Sequence, residues 1–328
     1  MNAAYKQVAL SPEKANETGT PIAVIGNANL DIVGGMLSGW PDKGTEAFLD
    51  LSDMRIGGSA ANTALVLDRL GMESGLISAV GSDLSGTMIE TRFAGPLDRI
   101  IRIDGPSSVT FGLLHPGSER TFFSTRGHLD HFGETQAMQA LEEWPLNGAL
   151  VLVSGSFAMP ELLHPTASML SFLKDQGAQT AIDPGWPGEG WTPHNIALMR
   201  EWVSVSDHIL INDKELLGLT EAGDLGEATR KLSGMLQGSA VGVVKCGAKG
   251  ALCILRTGRC EQIAAPAAEV LDTIGAGDAF NAGYLAAIAR GWSAVAATRA
   301  GCRVATAVVT DFPRQEGPLV LDEEDPSR

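Results

Sequence analysis

Short apolar runs alternate along this chain with longer segments whose apolar positions recur at helical spacing. The runs Ile22–Gly26, Gly75–Val80, Leu150–Ser154, Gln179–Asp183, His208–Asn212, Val241–Cys246 and Ala251–Leu255 carry mostly small and aliphatic residues, as buried strands do. Between them, Ala60–Leu70, Glu161–Gln176, Asn195–Ser204 and Glu227–Leu236 predict helices. Such alternation predicts an α/β fold: a twisted, mostly parallel sheet with helices on both faces, because parallel neighbours need long crossovers.

Two segments break the rhythm. Met36–Ile56 and Arg99–Ser124 hold alternating runs (Thr45, Ala47, Leu49, Leu51; Val109, Phe111, Leu113) with no helix between them. They predict a few antiparallel strands outside the main sheet, forming a small β-lid at about residues 36–56 and 99–124. One domain over about 20–320 follows, with polar tails at 1–19 and 321–328.

Composition narrows the functions available. The 328 residues are 44% hydrophobic, ample for one large core. No apolar run approaches the ~20 residues that span a bilayer, and the first twenty residues lack the apolar core of a signal peptide. With 39 acidic against 24 basic residues the net charge is −15, a field that repels nucleic acid and anionic lipid. Neither a nucleic acid nor a membrane is expected as a partner. Cys246, Cys253, Cys260 and Cys302 form no C-x-x-C pair, which argues against zinc. Three of the four fall in strand-like stretches and are expected in the core as reduced thiols, in keeping with a cytoplasmic address. Of the histidines only His128 and His131 come near metal spacing, and a solvated loop is expected there.

The chemistry concentrates in three places. In Leu271-Asp272-Thr273-Ile274-Gly275-Ala276-Gly277-Asp278, two glycines precede a helical stretch with Phe280, Tyr284, Leu285 and Ile288 on its apolar face. Glycines at a helix start let several N–H groups converge, and the helix dipole adds about half a positive charge there. Gly275, Ala276 and Gly277 are thus suited to hold phosphate oxygens. Asp278, in the first helical turn, stays ionised and can accept the proton of an attacking hydroxyl. A plain helix N-terminus with a favourable acid would carry the same residues.

Near the start, Ile56-Gly57-Gly58-Ser59-Ala60-Ala61-Asn62 opens a helix that Gly71 ends. Gly57 and Gly58 permit a hinge or a close backbone approach, and Asn62 offers a donor and an acceptor to a diol. Gly26-Asn27-Ala28-Asn29-Leu30-Asp31 lies beyond the first strand, where parallel sheets bind ligands. Asn29 and Asp31 are expected to enter the site from that strand's end. Each segment alone also describes an ordinary loop.

Taken together and in this order, the three resemble the ribokinase-like (PfkB-type) carbohydrate kinases, from about Ile22 to Gly317. The resemblance implies ATP as co-substrate, Asp278 as base and Gly275-Ala276-Gly277 as anion hole. It implies Asn29, Asp31, Gly57, Gly58 and Asn62 as contacts to a sugar-like acceptor. Asn212-Asp213-Lys214-Glu215 matches the family's Asn-x-x-Glu element, in which Asn212 faces the phosphates and Glu215 helps hold Mg²⁺ through water. Val244-Lys245-Cys246-Gly247-Ala248-Lys249-Gly250 resembles the nucleotide loop, giving Lys245, Gly247 and Gly250 to the nucleotide. Lys245 stands where many members carry Thr and others Lys.

The chain also departs from the family. Asp183-Pro184-Gly185-Trp186-Pro187 lacks the Asn and Arg of the Asp-x-Asn-x-Arg segment found in some sugar kinases. Val308–Pro313 resembles the loop that binds K⁺ in some members, yet Asp311-Phe312-Pro313-Arg314 is unusual for it. Family lids often pair, which implies a homodimer.

Other enzyme classes fail on their motifs. A dehydrogenase would need G-x-G-x-x-G after the first strand, a P-loop needs Gly-Lys, and a serine hydrolase needs G-x-S-x-G; none occurs. The expected activity is ATP-dependent phosphorylation of a small neutral sugar. The alternatives are a nucleoside kinase of the same family and a catalytically silent binding protein on the same fold. A sugar phosphate is disfavoured as acceptor, since Lys43, Arg55, Arg120 and Arg126 are scattered over the lid segments.

Overall fold

The structure is a computed structural model that describes residues 19–116, 120–270, 272–310 and 317–321. The two tails expected from the sequence lie almost wholly outside these residues. Asp311-Phe312-Pro313-Arg314, the part of the K⁺-type loop in which this chain is unusual, lies wholly outside them.

The chain begins β1 (Ile22–Gly26), β2 (Asn29–Gly35), β3 (Leu51–Gly57), α1 (Ser59–Arg69), β4 (Ser74–Gly81) and α2 (Leu84–Arg92). It continues β5 (Arg99–Ile103), β6 (Val109–Leu114), β7 (Arg120–Ser124), α3 (Glu134–Ala140), β8 (Leu150–Ser154), α4 (Thr166–Asp175) and β9 (Gln179–Asp183). Next come α5 (Pro193–Val205), β10 (His208–Asn212), α6 (Asp213–Thr220), α7 (Leu225–Met235) and β11 (Val241–Lys245). The last elements are β12 (Ala251–Leu255), β13 (Cys260–Ile263), α8 (Ala276–Ala289) and α9 (Ala294–Val309).

The main sheet runs in the order β13-β12-β11-β10-β9-β8-β1-β4-β5. It is parallel from β11 to β5, and β12 and β13 add antiparallel at one edge. Side chains alternate across a strand, so each strand feeds two cores. Ile22, Val24, Leu150 and Leu152 pack with residues of α1, α8 and α9, while Ala23, Ile25, Val151 and Val153 pack with α4, α5 and α6 on the other face. Helix starts follow local chemistry. Thr192, Asp224 and Ser293 cap α5, α7 and α9 with a side-chain oxygen on the third helical amide. The helix expected from Glu161 begins only at Thr166, because Pro165 suits a helix start better than an interior.

The lid departs from its expected outline. It is a second sheet, β3-β2-β6-β7, in which β2 and β6 pair parallel and the other pairs are antiparallel. Within 36–56 only Leu51 onward forms a strand, since the run at Thr45, Ala47 and Leu49 finds no partner strand. Arg99–Ile103, expected outside the main sheet, extends its edge as β5 against β4. The strand that anchors the lid is β2, which the sequence reading passed over. On the lid's outer face Met54, Ile32, Phe111 and Phe123 stand directly across from one another in register, all exposed.

Two further expectations are corrected. His128 lies buried, where its Nδ1 accepts the Ser108 amide at 3.0 Å, and burial pushes its pKa down to about 4. It is a neutral core residue; His131 is exposed. Cys253 and Cys302 are buried, but Cys246 is only half-buried and Cys260, at the open start of β13, is exposed.

Candidate active site

Five parallel strands end together. Gly26, Ser154 and Asp183 stand in register at the carboxyl ends of β1, β8 and β9, and Asn212 pairs with Lys245 at the ends of β10 and β11. Ligands of parallel sheets bind beyond such ends. α8 returns across the sheet and brings its N-terminus to the same place. Gly275 precedes it at φ 69°, a left-handed turn that favours glycine. Ala276 and Gly277 then begin the helix. The Ala276 amide donates to the Thr273 carbonyl at 3.2 Å, whereas first-turn amides such as that of Gly277 have no carbonyl one turn back.

Asp278 follows in the first turn. Asn62 Nδ2 donates to its Oδ2 at 2.9 Å, and Thr63 Oγ1 donates to its backbone carbonyl at 3.3 Å. The start of α1 and the start of α8 are thereby tied together. Asn29 and Asp31 join from the lid, since β2 and not the end of β1 carries them. Both are buried, and Asn29 Nδ2 donates to Asp31 Oδ1 at 2.6 Å. Gly57, opposite Asn29, is needed there because a Cβ would lie 2.1 Å from the Asp31 carboxyl carbon. Gly58, at φ 93°, would bring a Cβ 2.5 Å from the Asn27 carbonyl oxygen. The acceptor-side set expected from the sequence therefore shares one corner, with Asn62 reaching Asp278.

The nucleotide-side set lies across the strand ends. Asn212 and Glu215 cap α6 reciprocally: the Glu215 amide donates to Asn212 Oδ1, and the Asn212 amide donates to Glu215 Oε2, both at 2.8 Å. Burial chiefly, and then the charge of Asp183, push the Glu215 pKa up to about 7, although Lys245 opposes this. Lys245 is buried against Asp183, its Nζ donating to Asp183 Oδ2 at 2.7 Å. Gly247 and Gly250 both take positive φ in the turn after β11, and the Cys246 amide closes that turn on the Gly250 carbonyl at 2.7 Å. At Gly250 a Cβ would meet the Ile263 carbonyl oxygen at 1.9 Å.

Among the described residues, Asp183, Glu215 and Asp278 surround the ammonium of Lys245. Oxygen donors with excess negative charge suit a hard divalent cation that keeps its water shell, so the residues present fit Mg²⁺. Among the described residues no three acidic, His or Cys groups form a direct metal cage.

The lid is fastened to the loop that leads into α8. Arg55 on β3 reaches Asp272 Oδ2 at 2.7 Å and Asp53 at 3.2 Å, and Arg120 on β7 donates to Thr273 Oγ1. Asp272 Oδ1 in turn accepts the Ile274 amide at 2.8 Å. The sequence reading assigned nothing to Asp183, Asn281 or Asp272. Asn281 stands one turn after Asp278 on α8, a spacing that could have marked it.

The fold is ribokinase-like. It superimposes on the ribokinase of Arabidopsis thaliana complexed with ribose and ATP with a TM-score of 0.74 at 20% identity, covering 92% of this chain and 96% of that one. The chain matches the pfkB family of carbohydrate kinases over residues 22–318, and it belongs to that family. It is a carbohydrate kinase, and the family implies ATP as phosphoryl donor. An uncharacterised sugar kinase of Escherichia coli K12 is 29% identical over 88% of both chains. A fructokinase of Klebsiella pneumoniae is 28% identical over 71% of this chain and 76% of its own.

Proposed function

We propose that the protein transfers the γ-phosphoryl group of ATP to a hydroxyl of a small neutral sugar, with Asp278 as general base. The observation that carries this reading is the contact of Asn62 with Asp278 at the N-terminus of α8. It supports the reading because Asn62 can bind a hydroxyl and the first-turn amides of α8 suit phosphate oxygens. The acceptor hydroxyl gives its proton to Asp278 as its oxygen bonds to the γ-phosphorus. The bond from that phosphorus to the β–γ bridging oxygen breaks, and ADP leaves. Positioning and electrostatics supply most of the catalysis in such a loose transition state.

Asn29, Asp31, Gly57, Gly58 and Asn62 hold the acceptor in this reading; Asn212, Lys245, Gly247 and Gly250 hold the nucleotide. Glu215 holds Mg²⁺ through its water shell. When bound, Mg²⁺ neutralises phosphate charge. A neutral acceptor is favoured because three of the four lid cations are engaged, Arg55 by Asp53 and Asp272, Arg120 by Thr273 and Arg126 by Asp130 at 3.2 Å, while Lys43 is exposed. We also propose that two copies pair through the apolar outer row Met54, Ile32, Phe111 and Phe123. An exposed row of this kind on a four-stranded sheet is a natural mate for its own copy. A cytoplasmic address agrees with its free cysteines.

An ADP-release screen over neutral sugars, their phosphates and nucleosides tests the activity. A neutral sugar should give the highest kcat/KM. A sugar phosphate or a nucleoside well above every sugar would overturn the acceptor assignment. Light scattering on wild type and Phe111→Lys tests the pairing, with a dimer expected for the first and a monomer for the second.

A further inference from the structure

A closed triangle of side chains lies beside Asp278. Lys245 Nζ donates to Asp183 Oδ2 at 2.7 Å and to Asn281 Oδ1 at 3.2 Å, and Asn281 Nδ2 donates to the same Asp183 oxygen at 2.5 Å. The Lys245 and Asp183 side chains are 12% and 8% exposed, and Asn281 is fully buried. Three elements that are distant in sequence contribute: the ends of β9 and β11, and the first turns of α8. Burying charge is costly, and apolar residues would pack the same space at least as stably. The triangle therefore calls for a reason other than stability.

Its placement supplies one. A Cβ at Gly277 would lie 3.6 Å from Lys245 Nζ, so the ammonium sits against the glycine that opens α8. Burial opposes the Lys245 charge, but Asp183 and Glu215 more than offset it and Asp278 adds to them, so the lysine stays protonated. Two of the three N–H donors of Lys245 have fixed partners in Asp183 and Asn281, which aims a flexible side chain.

We infer that Asp183 and Asn281 are positioning residues that fix the ammonium of Lys245 across Gly277, facing the phosphoryl group in transfer. This rests on the phosphotransfer reading above and gives Asp183, the residue that the segment keeps, a task. Asp183 acts here through a lysine from β11. The charge that builds on the phosphoryl oxygens is met by a cation already in place, which avoids reorganisation during the reaction.

Three variants test it: Lys245→Met, Asp183→Asn and the double. Activity is read on the best acceptor of the screen, and the affinities for ATP and ADP are read by calorimetry. Nucleotide binding thus stands apart from the acceptor assignment, and Asp278→Asn separately tests the base. Lys245→Met should lower kcat about 10²–10³-fold, as loss of one preorganised donor does. Asp183→Asn should lower it about tenfold, as slight misplacement does, with the acceptor KM within about twofold. The double should be no slower than Lys245→Met, and every variant should lose preference for ATP over ADP. A folded Asp183→Asn with kcat and ATP preference unchanged would overturn the inference, as would a double whose loss is the product of the singles. If Asp183→Asn does not fold, Asn281→Ala decides. It should lower kcat at least about threefold with the acceptor KM held, and an unchanged kcat rejects the role.

Discussion

Asn62 and Asp278, 216 positions apart in the chain, meet at 2.9 Å where the first turns of α1 and α8 converge. Thr63 holds the Asp278 backbone from the same side. Because β3 runs through Gly57 and Gly58 straight into α1, the lid and the carboxylate are joined through a single helical turn.

Asp278→Asn keeps the size of the side chain and removes its ability to take a proton. Turnover should fall about 10²–10⁴-fold, the range for loss of a general base. ATP affinity, measured by calorimetry, should stay close to wild type. A variant with near-normal turnover would take Asp278 out of the mechanism.

Gly57→Ala drives a methyl into the Asp31 carboxylate, since that Cβ would lie 2.1–2.2 Å from its atoms. Asp31 must swing away, so KM for the acceptor should rise far more than KM for ATP. Replacing Gly57 and Gly58 together with valine should also lower kcat and raise the fraction of ATP lost to water, the outcome expected of a hinge that closes the lid over the site. The ratio of ADP released to sugar phosphate formed reads this directly.

Glu215 should give the site a pH dependence. With its pKa pushed up to about 7, it is protonated below that value and charged above it. The Mg²⁺ concentration for half-maximal rate should fall as pH rises through 7, and Glu215→Gln should flatten that dependence while raising the requirement. Stability follows the linked sign. The native state holds this proton more tightly than the unfolded chain, whose ordinary value is 4.5, so without metal the Glu215 contribution should fall as pH rises from 4.5 to about 7. Urea melts across that window compare wild type with Glu215→Gln.

Arg55→Ala leaves the fully buried Asp272 side chain without its guanidinium. Removing one partner of a buried pair costs about 3–5 kcal/mol, so the urea midpoint should drop sharply. Asp272→Asn should be milder, because the carbonyl of the amide can still accept the Ile274 N–H that Asp272 Oδ1 receives at 2.8 Å. Equal losses would show that the charge pair, and not the loop hydrogen bond, holds the lid edge.

The strands of the main sheet were legible because burial on both faces demands short apolar runs, and β1, β8, β9 and β10 fall on their expected residues. The start of α8 was legible as well, since two glycines before a helix leave few alternatives. The lid was only half legible. β2 has no clean alternation, its residues being mostly buried, while the alternating run at Thr45–Leu49 found nothing to pair with. Alternation reports a side chain's preference for one face, but a strand exists only where a neighbour accepts its hydrogen bonds.

Sequence by itself determined the fold class, the glycine-rich turn that opens α8 and the helix start at Asn212–Glu215. Each depends on residues close in the chain, so local chemistry suffices. Only the tertiary structure decided that Asn62 reaches Asp278, that Arg55 fastens the lid to Asp272, and that Asp183, Asn281 and Lys245 close a triangle. Those pairings join residues from 36 to 217 positions apart. No spacing rule reaches that far; the parallel sheet brings the residues together by aligning the ends of strands that long crossovers separate.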